Sequence, residues 1–216
     1  MTKTTLRITE IFHSLQGEAR SAGTPTVFVR LTGCPLRCGY CDTAYAFSGG
    51  VQYTLDEVLR EVAHWQTQAV CVTGGEPLAQ PACLELLTAL CDAGHAVSLE
   101  TSGALDVAGV DPRVSKVMDL KTPSSGELER NRYENLRHIG PHDQLKFVLG
   151  DEADYRWAVQ FLQQHALSTL TPDIWYSPVY GQLEPTQLAE WILRDRLPVR
   201  LQIQLHKLLW ADAKGK

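Results

Sequence analysis

Apolar and polar positions along the chain fall into two rhythms that alternate. Short runs rich in β-branched residues predict strands at Thr26–Leu31, Ala69–Thr73, Ala96–Glu100, Val114–Leu120, Leu145–Leu149, Ile174–Ser177 and Val199–Leu205. Between them the period lengthens. Leu55, Val58, Leu59, Val62 and Trp65 share one helical face, and Thr54 with Glu57 has the spacing of a capping box. Pro81 opens a second helix with Leu84, Leu87, Leu90 and Cys91 inward, closed by Gly94. Further helices are predicted over Glu152–His165 and Glu184–Arg194. Strand–helix alternation of this kind predicts an α/β fold with a parallel sheet and helical crossovers. The expectation is one domain over residues 1–216, an incomplete TIM-type barrel. Gly- or Pro-bearing polar stretches fall where strands end, at Gly33–Asp42, Thr73–Pro77, Glu100–Gly103, Lys121–Gly126 and Ser177–Gly181. In a barrel-like fold that edge is where sites are built.

Composition narrows the classes. A net charge of −5 and no Lys/Arg-rich run argue against nucleic acid as the direct ligand. The first residues alternate polar and apolar with no apolar h-region, and no uninterrupted apolar stretch approaches the length of a membrane span. The expectation is therefore a soluble, cytoplasmic protein. Six cysteines in such a chain point to metal or redox chemistry before disulfides.

Three of those cysteines, Cys34, Cys38 and Cys41, lie within eight residues in the spacing C-x3-C-x2-C. A loop this short wraps one soft metal centre, and thiolates favour zinc, copper(I) or iron–sulfur clusters. A structural zinc site is closed by four ligands, and no nearby His or second Cys pair supplies the fourth. Three ligands on a four-iron cluster would leave one iron open. Cys71, Cys83 and Cys91 sit in apolar strand and helix patterns and are expected to be packed as small hydrophobes.

The cysteine spacing, with Tyr40 before the third thiol, and Gly74-Gly75-Glu76-Pro77 at the end of the following strand resemble the two marks of the radical S-adenosylmethionine (SAM) superfamily. Four further segments resemble the 7-carboxy-7-deazaguanine synthase family within it: Glu10–Glu18, Cys41-Asp42-Thr43, Glu100–Gly103 and Leu201–Lys207. Two departures stand out. Ala19 occupies a position where the family often has glycine, and Lys121–Gly126 is longer than a short Ser-Pro-Lys form.

The resemblance implies a mechanism and a set of roles. A [4Fe-4S] cluster on Cys34, Cys38 and Cys41 would reduce SAM to methionine and a 5′-deoxyadenosyl radical. That radical would abstract hydrogen from 6-carboxy-5,6,7,8-tetrahydropterin, which contracts to 7-carboxy-7-deazaguanine with loss of ammonia. Gly74, Gly75, Glu76, Ser102, Lys121 and Ser177 would line SAM, the glycines by permitting close approach. Leu15, Gln16, Gly17 and Glu18 would read the pterin edge, Arg30 would pair with the carboxylate through its planar fork, and Thr73 and His206 would contact the substrate. Thr43 would bind Mg²⁺. A homodimer and a flavodoxin or ferredoxin as electron donor are implied by analogy. The rival readings are an activase of a glycyl radical enzyme, which should lack the Leu-Gln-Gly-Glu and Cys-Asp-Thr segments, and a zinc or iron–sulfur binding module, for which Gly74–Pro77 has no purpose.

Overall fold

The computed structural model of the protein describes residues 4–211, 213 and 215. One nine-stranded sheet runs through it in the order β3-β1-β2-β4-β5-β6-β7-β8-β9. The strands are β1 (Thr5–Leu15), β2 (Pro25–Leu31), β3 (Val51–Thr54), β4 (Ala69–Gly74), β5 (Ala96–Thr101), β6 (Ser115–Leu120), β7 (Gln144–Leu149), β8 (Ile174–Pro178) and β9 (Arg200–Leu201). From β2 onward along the sheet every neighbouring pair is parallel, as predicted. The helices are α1 (Leu55–His64), α2 (Cys83–Asp92), α3 (Glu152–Gln164), α4 (Pro185–Asp195) and α5 (Leu205–Trp210). The sheet does not close: β3 and β9 are its two edges, so the architecture is the expected incomplete barrel.

Period two along the strands sorts side chains onto two unlike faces. Val27, Val29 and Leu31 of β2, Val70 and Val72 of β4, and Val97 and Leu99 of β5 pack with α1 and α2 in one apolar cluster. Met118 and Leu120 of β6, Leu145, Phe147 and Leu149 of β7, and Ile174 and Tyr176 of β8 pack with α3 and α4 in another. The alternate residues face the concave side: Phe28 and Arg30, Thr73, Glu100, Val117 and Asp119, Lys146 and Val148. That face mixes charged and apolar side chains, so apolar burial against the helices holds the sheet from outside and leaves the inside for chemistry.

The predicted capping box is present, with the Glu57 N–H donating to Thr54 Oγ1 and the Thr54 N–H to the Glu57 carboxylate. Several expectations need correction. β1 is antiparallel to both β2 and β3, a hairpin-like addition that the strand–helix reading did not contain. No helix links β5 to β6, and only 3₁₀ turns link β6 to β7. On α2 the fully buried positions are Cys83, Leu86, Leu87 and Leu90, with Leu84 and Cys91 only partly buried. The strand expected at Val199–Leu205 is reduced to Arg200–Leu201, and the chain turns into α5 from Leu205. The Gln202 N–H still donates to the Tyr176 carbonyl (2.9 Å), and at this point the Gln202 side-chain carbonyl accepts the Ala19 N–H and the Gln204 amide donates to Glu18.

Residues 16–24, the β1–β2 turn, seat against the far strands. Arg20 pairs with Asp173, its N–H donates to the Gln144 side chain (2.7 Å), and Ala19 is buried with a φ of 63°. The left-handed region explains why glycine suits this position. Ala19→Gly should leave stability within about 1 kcal/mol, relief of φ offsetting a lost methyl. Ala19→Val, β-branched and over-packed, should cost about 2 kcal/mol or more by urea unfolding. Equal losses in the two variants would contradict this account of the turn.

Candidate active site

The loop after β2 carries the three thiols. Leu36, buried between the first and second of them, pins the loop to the interior, and its N–H points at Cys34 Sγ (3.4 Å). The Cys41 N–H donates to the Cys38 carbonyl (3.2 Å) and the Gly39 N–H to the Ser125 carbonyl (3.0 Å), so the loop leans on the segment after β6. That segment is itself fixed by Asp154, fully buried, which accepts from the Ser124 N–H (2.9 Å), Thr122 Oγ1 (3.1 Å) and the Gly150 N–H (2.8 Å). Burial pushes the Cys34 and Cys38 thiols up, so a metal must displace their protons to bind them.

The Gly-Gly-Glu-Pro motif explains how the loop is set. A Cβ at Gly74 would lie 2.3 Å from the Leu31 carbonyl oxygen, and one at Gly75 would lie 2.3 Å from the Gly33 carbonyl oxygen and 2.7 Å from Cys34 Cβ. The β4 end therefore lies directly on the root of the cysteine loop, tied by Gly75 N–H to Leu31 (3.2 Å) and Glu76 N–H to Gly33 (2.8 Å). Glu76 is fully buried and turned away from the concave face. Its carboxylate accepts from the Ser102 N–H (2.7 Å), Ser102 Oγ (2.5 Å) and Thr101 Oγ1 (3.0 Å). It thereby fixes the end of β5.

A cavity of about 350 Å³ opens on the concave face, at the carboxyl ends of the parallel strands. The three thiols, Gly74, Gly75, Ser102 and Lys121 line it. So do Leu15, Gln16, Gly17, Glu18, Arg30, Thr43, Thr73 and His206. Of the residues singled out from sequence, Glu76 and Ser177 alone do not line it; both are buried behind the wall. Lys146 and Asp119 line it without having been singled out, as do Glu100 and the stacked pair Phe12–Phe28 (4.9 Å between ring centroids), of which Glu100 and Phe12 stand in the family-like segments but had been given no role. A signal existed for the charged ones: each interrupts an apolar strand on the phase of the inner face.

Most of the charge at the cavity is paired. Arg30 Nε donates to Glu10 (2.8 Å), which also accepts from Tyr45 OH (2.8 Å). Lys146 Nζ is 2.6 Å from Glu18, and Lys121 Nζ is 3.0 Å from Asp119. Burial would raise the Glu18 carboxyl, but Lys146, with help from Gln204, brings it down to about 2. Burial likewise opposes the charge on both lysines, and Glu18 at Lys146 and Asp119 at Lys121 more than offset it, holding each above the usual range. Gln16 Nε2 (3.3 Å) and Thr73 Oγ1 (2.9 Å) both donate to Glu100. At the rim Thr43 Oγ1 donates to Asp42 (2.7 Å), a pair of hard oxygen donors.

Among the described residues no three His, Cys, Asp or Glu side chains come close enough to hold a single metal ion. The three loop thiols nevertheless share one cavity, each partly exposed, whereas Cys71 and Cys83 are buried in the wall and the core. Three soft thiolates in one cavity fit an iron–sulfur group that leaves one iron open, whereas a structural zinc site is closed by four ligands. The glycine-lined β4 end beside it fits a ligand that needs close backbone approach.

Comparison with known proteins agrees with this geometry. Residues 28–121 match the model of the radical SAM superfamily. A 7-carboxy-7-deazaguanine synthase from Chlorobaculum tepidum is 48% identical over 218 residues, covering 99% of each chain. One from Koribacter versatilis is 41% identical over 225 residues, covering 97% of this chain and 100% of its own. The crystal structure of QueE from Escherichia coli superposes with a TM-score of 0.72 at 23% identity, covering 94% of this chain and 95% of that one, a likeness of fold. With such identity sustained from end to end, and the thiol loop and glycine pair meeting at one cavity, the chain belongs to the 7-carboxy-7-deazaguanine synthase family of the radical SAM superfamily.

Proposed function

We propose that this chain, acting as a single domain, converts 6-carboxy-5,6,7,8-tetrahydropterin to 7-carboxy-7-deazaguanine with release of ammonia, a step of 7-deazapurine and queuosine biosynthesis. The observation that carries the reading is one cavity shared by a soft-metal loop, a glycine-lined strand end and separate cationic and anionic side chains. Kinship with named synthases over the whole chain supports it.

Cys34, Cys38 and Cys41 would hold a [4Fe-4S] cluster, and Gly74, Gly75, Ser102 and Lys121 would line SAM. Glu76 would act from behind by fixing Ser102, and Ser177 by forming the buried backing of the same wall. When bound, the cluster and SAM supply one-electron reductive cleavage and hydrogen abstraction from carbon.

The remaining work falls to the chain's own residues. Glu10 holds Arg30 by its Nε, which leaves the terminal guanidinium nitrogens to pair with the pterin carboxylate. Glu18, ionised, would accept from the amino-bearing edge of the pterin, and Gln16 is oriented for the same edge by Glu100. Thr73 would contact the substrate from β4. His206 packs over Gly17, where a Cβ would lie 2.2 Å from its Nδ1, and would close the pterin side, with the Leu15–Gly17 backbone beneath. Phe12, Phe28, Val117 and Val148 give the cavity apolar walls that limit water. Thr43 with Asp42 would take Mg²⁺.

Beyond the cavity, a flavodoxin or ferredoxin would deliver the electron, and the working form would be a cytoplasmic homodimer. Among the described residues no helix is long and apolar enough to cross a membrane.

Replacing Cys34, Cys38 or Cys41 by Ala should abolish SAM cleavage and the cluster's visible absorbance; cleavage retained by any one would remove the thiols from the mechanism. Arg30→Ala should raise KM for the carboxylated pterin by about 30-fold or more, the scale of a broken buried charge pair, while the cluster absorbance stays. Loss of the cluster in that variant would show that Arg30 supports the loop instead.

A further inference from the structure

Lys146 has no role in the assignments above. It sits in β7 between Leu145 and Phe147, both in the core, and its own side chain is turned to the cavity and only 12% exposed. Its amine lies 2.6 Å from Glu18 Oε2 and 3.8 Å from Asp119 Oδ2. Asp119 already has Lys121 at 3.0 Å. Attraction falls with distance and only the shorter contact is a hydrogen bond, so Lys146 serves Glu18 first.

The other oxygen of Glu18 accepts Gln204 Nε2 at 2.7 Å. Glu18 is thus gripped on both oxygens, by β7 and by the segment before α5. Each grip leaves a further lone pair on its oxygen for a ligand. A carboxylate this buried without a cation either takes up a proton or swings out to water. A protonated Glu18 would present a donor to a ligand edge that itself donates.

We propose that Lys146 is a positioning residue for substrate recognition: by pinning Glu18 ionised and in one orientation, it makes Glu18 an acceptor-only reader of the N–H-bearing edge of the pterin. The inference rests on the functional reading above. It differs from a purely structural ion pair in one respect. The effect of Lys146 on ligand binding must pass through the Glu18 charge, so it must vanish when that charge is gone.

The test is equilibrium binding of 6-carboxypterin, followed by its fluorescence, to the reconstituted full chain with SAM present. Lys146→Met should weaken binding about 30-fold or more, since it strands a buried charge. Lys146→Arg, which keeps the cation, should recover most of that loss. In a Glu18→Gln background, Lys146→Met should change the Kd by less than about threefold, and its effect on SAM affinity in the parent should be equally small. An equal loss in both backgrounds, or SAM affinity falling in step with pterin affinity, would overturn the proposal. Should Lys146→Met not fold, the comparison of Glu18→Gln with the Glu18→Gln/Lys146→Met double variant, which leaves no unpaired charge at the pair, decides it: a difference above about threefold overturns it. A parent protein that binds no pterin would overturn the functional reading and this inference together, an outcome distinct from all the others.

Discussion

The contact on which the site depends is between two stretches of backbone. β4 ends in two glycines laid on Leu31, Gly33 and Cys34, so close that any side chain there would collide. Because the two strand ends touch, the cysteine loop cannot float. Its root is hydrogen-bonded to Gly75 and Glu76, and the next residue in that line, the Glu76 carboxylate, seizes Thr101 and Ser102. Three successive strand ends are thereby locked in one register. The remaining contacts, from Asp154 behind the β6 loop to Tyr40 reaching toward the Val148 carbonyl, hold the opposite wall to the same frame.

The second organising fact is the division of labour between the faces of the sheet. Apolar residues on one phase of each strand supply burial against the helices, where the hydrophobic effect does most of the stabilising. The other phase is freed to carry charge. Charge in a confined cavity is tolerated only when its partners are present, and here they are: Glu10 with Arg30 and Glu18 with Lys146 across strands, Asp119 with Lys121 at the end of β6, and Glu100 with the neutral donors Gln16 and Thr73. Binding a carboxylated heterocycle at such a site exchanges internal partners for ligand groups and leaves few charges bare.

Much of this was legible in the sequence, for identifiable reasons. The parallel strands and the helices α1, α3 and α4 follow from periodicity, and the capping box at Thr54 follows from spacing. The thiol loop and glycine pair are local motifs, and local motifs survive translation into structure. What resisted were features decided by distant partners. Where β9 ends, the Gln202 and Gln204 side chains bind Ala19 and Glu18, 183 and 186 residues away in the chain. The antiparallel placement of β1 and the inward turn of Leu86 are likewise set by tertiary packing that no window of sequence contains. Glu76 shows the limit of motif reading: the motif is in place, but its carboxylate serves β5 and not the cavity. Ser177 stands on the inner phase of β8 yet is covered. Lys146 and Asp119 were visible as charges within apolar strands; the period of two already sets Asp119 beside Lys121, whereas only the tertiary fold reveals that Lys146 faces Glu18.

The central claim is that this cavity contracts a carboxylated pterin by radical chemistry. The most direct test is an anaerobic reaction of the iron-reconstituted protein with SAM, Mg²⁺, a reductant and 6-carboxy-5,6,7,8-tetrahydropterin, read by mass spectrometry. The account predicts 7-carboxy-7-deazaguanine as product. Formation of 5′-deoxyadenosine without it would contradict the assigned substrate, and absence of both from protein with a verified four-iron cluster would contradict the reaction itself.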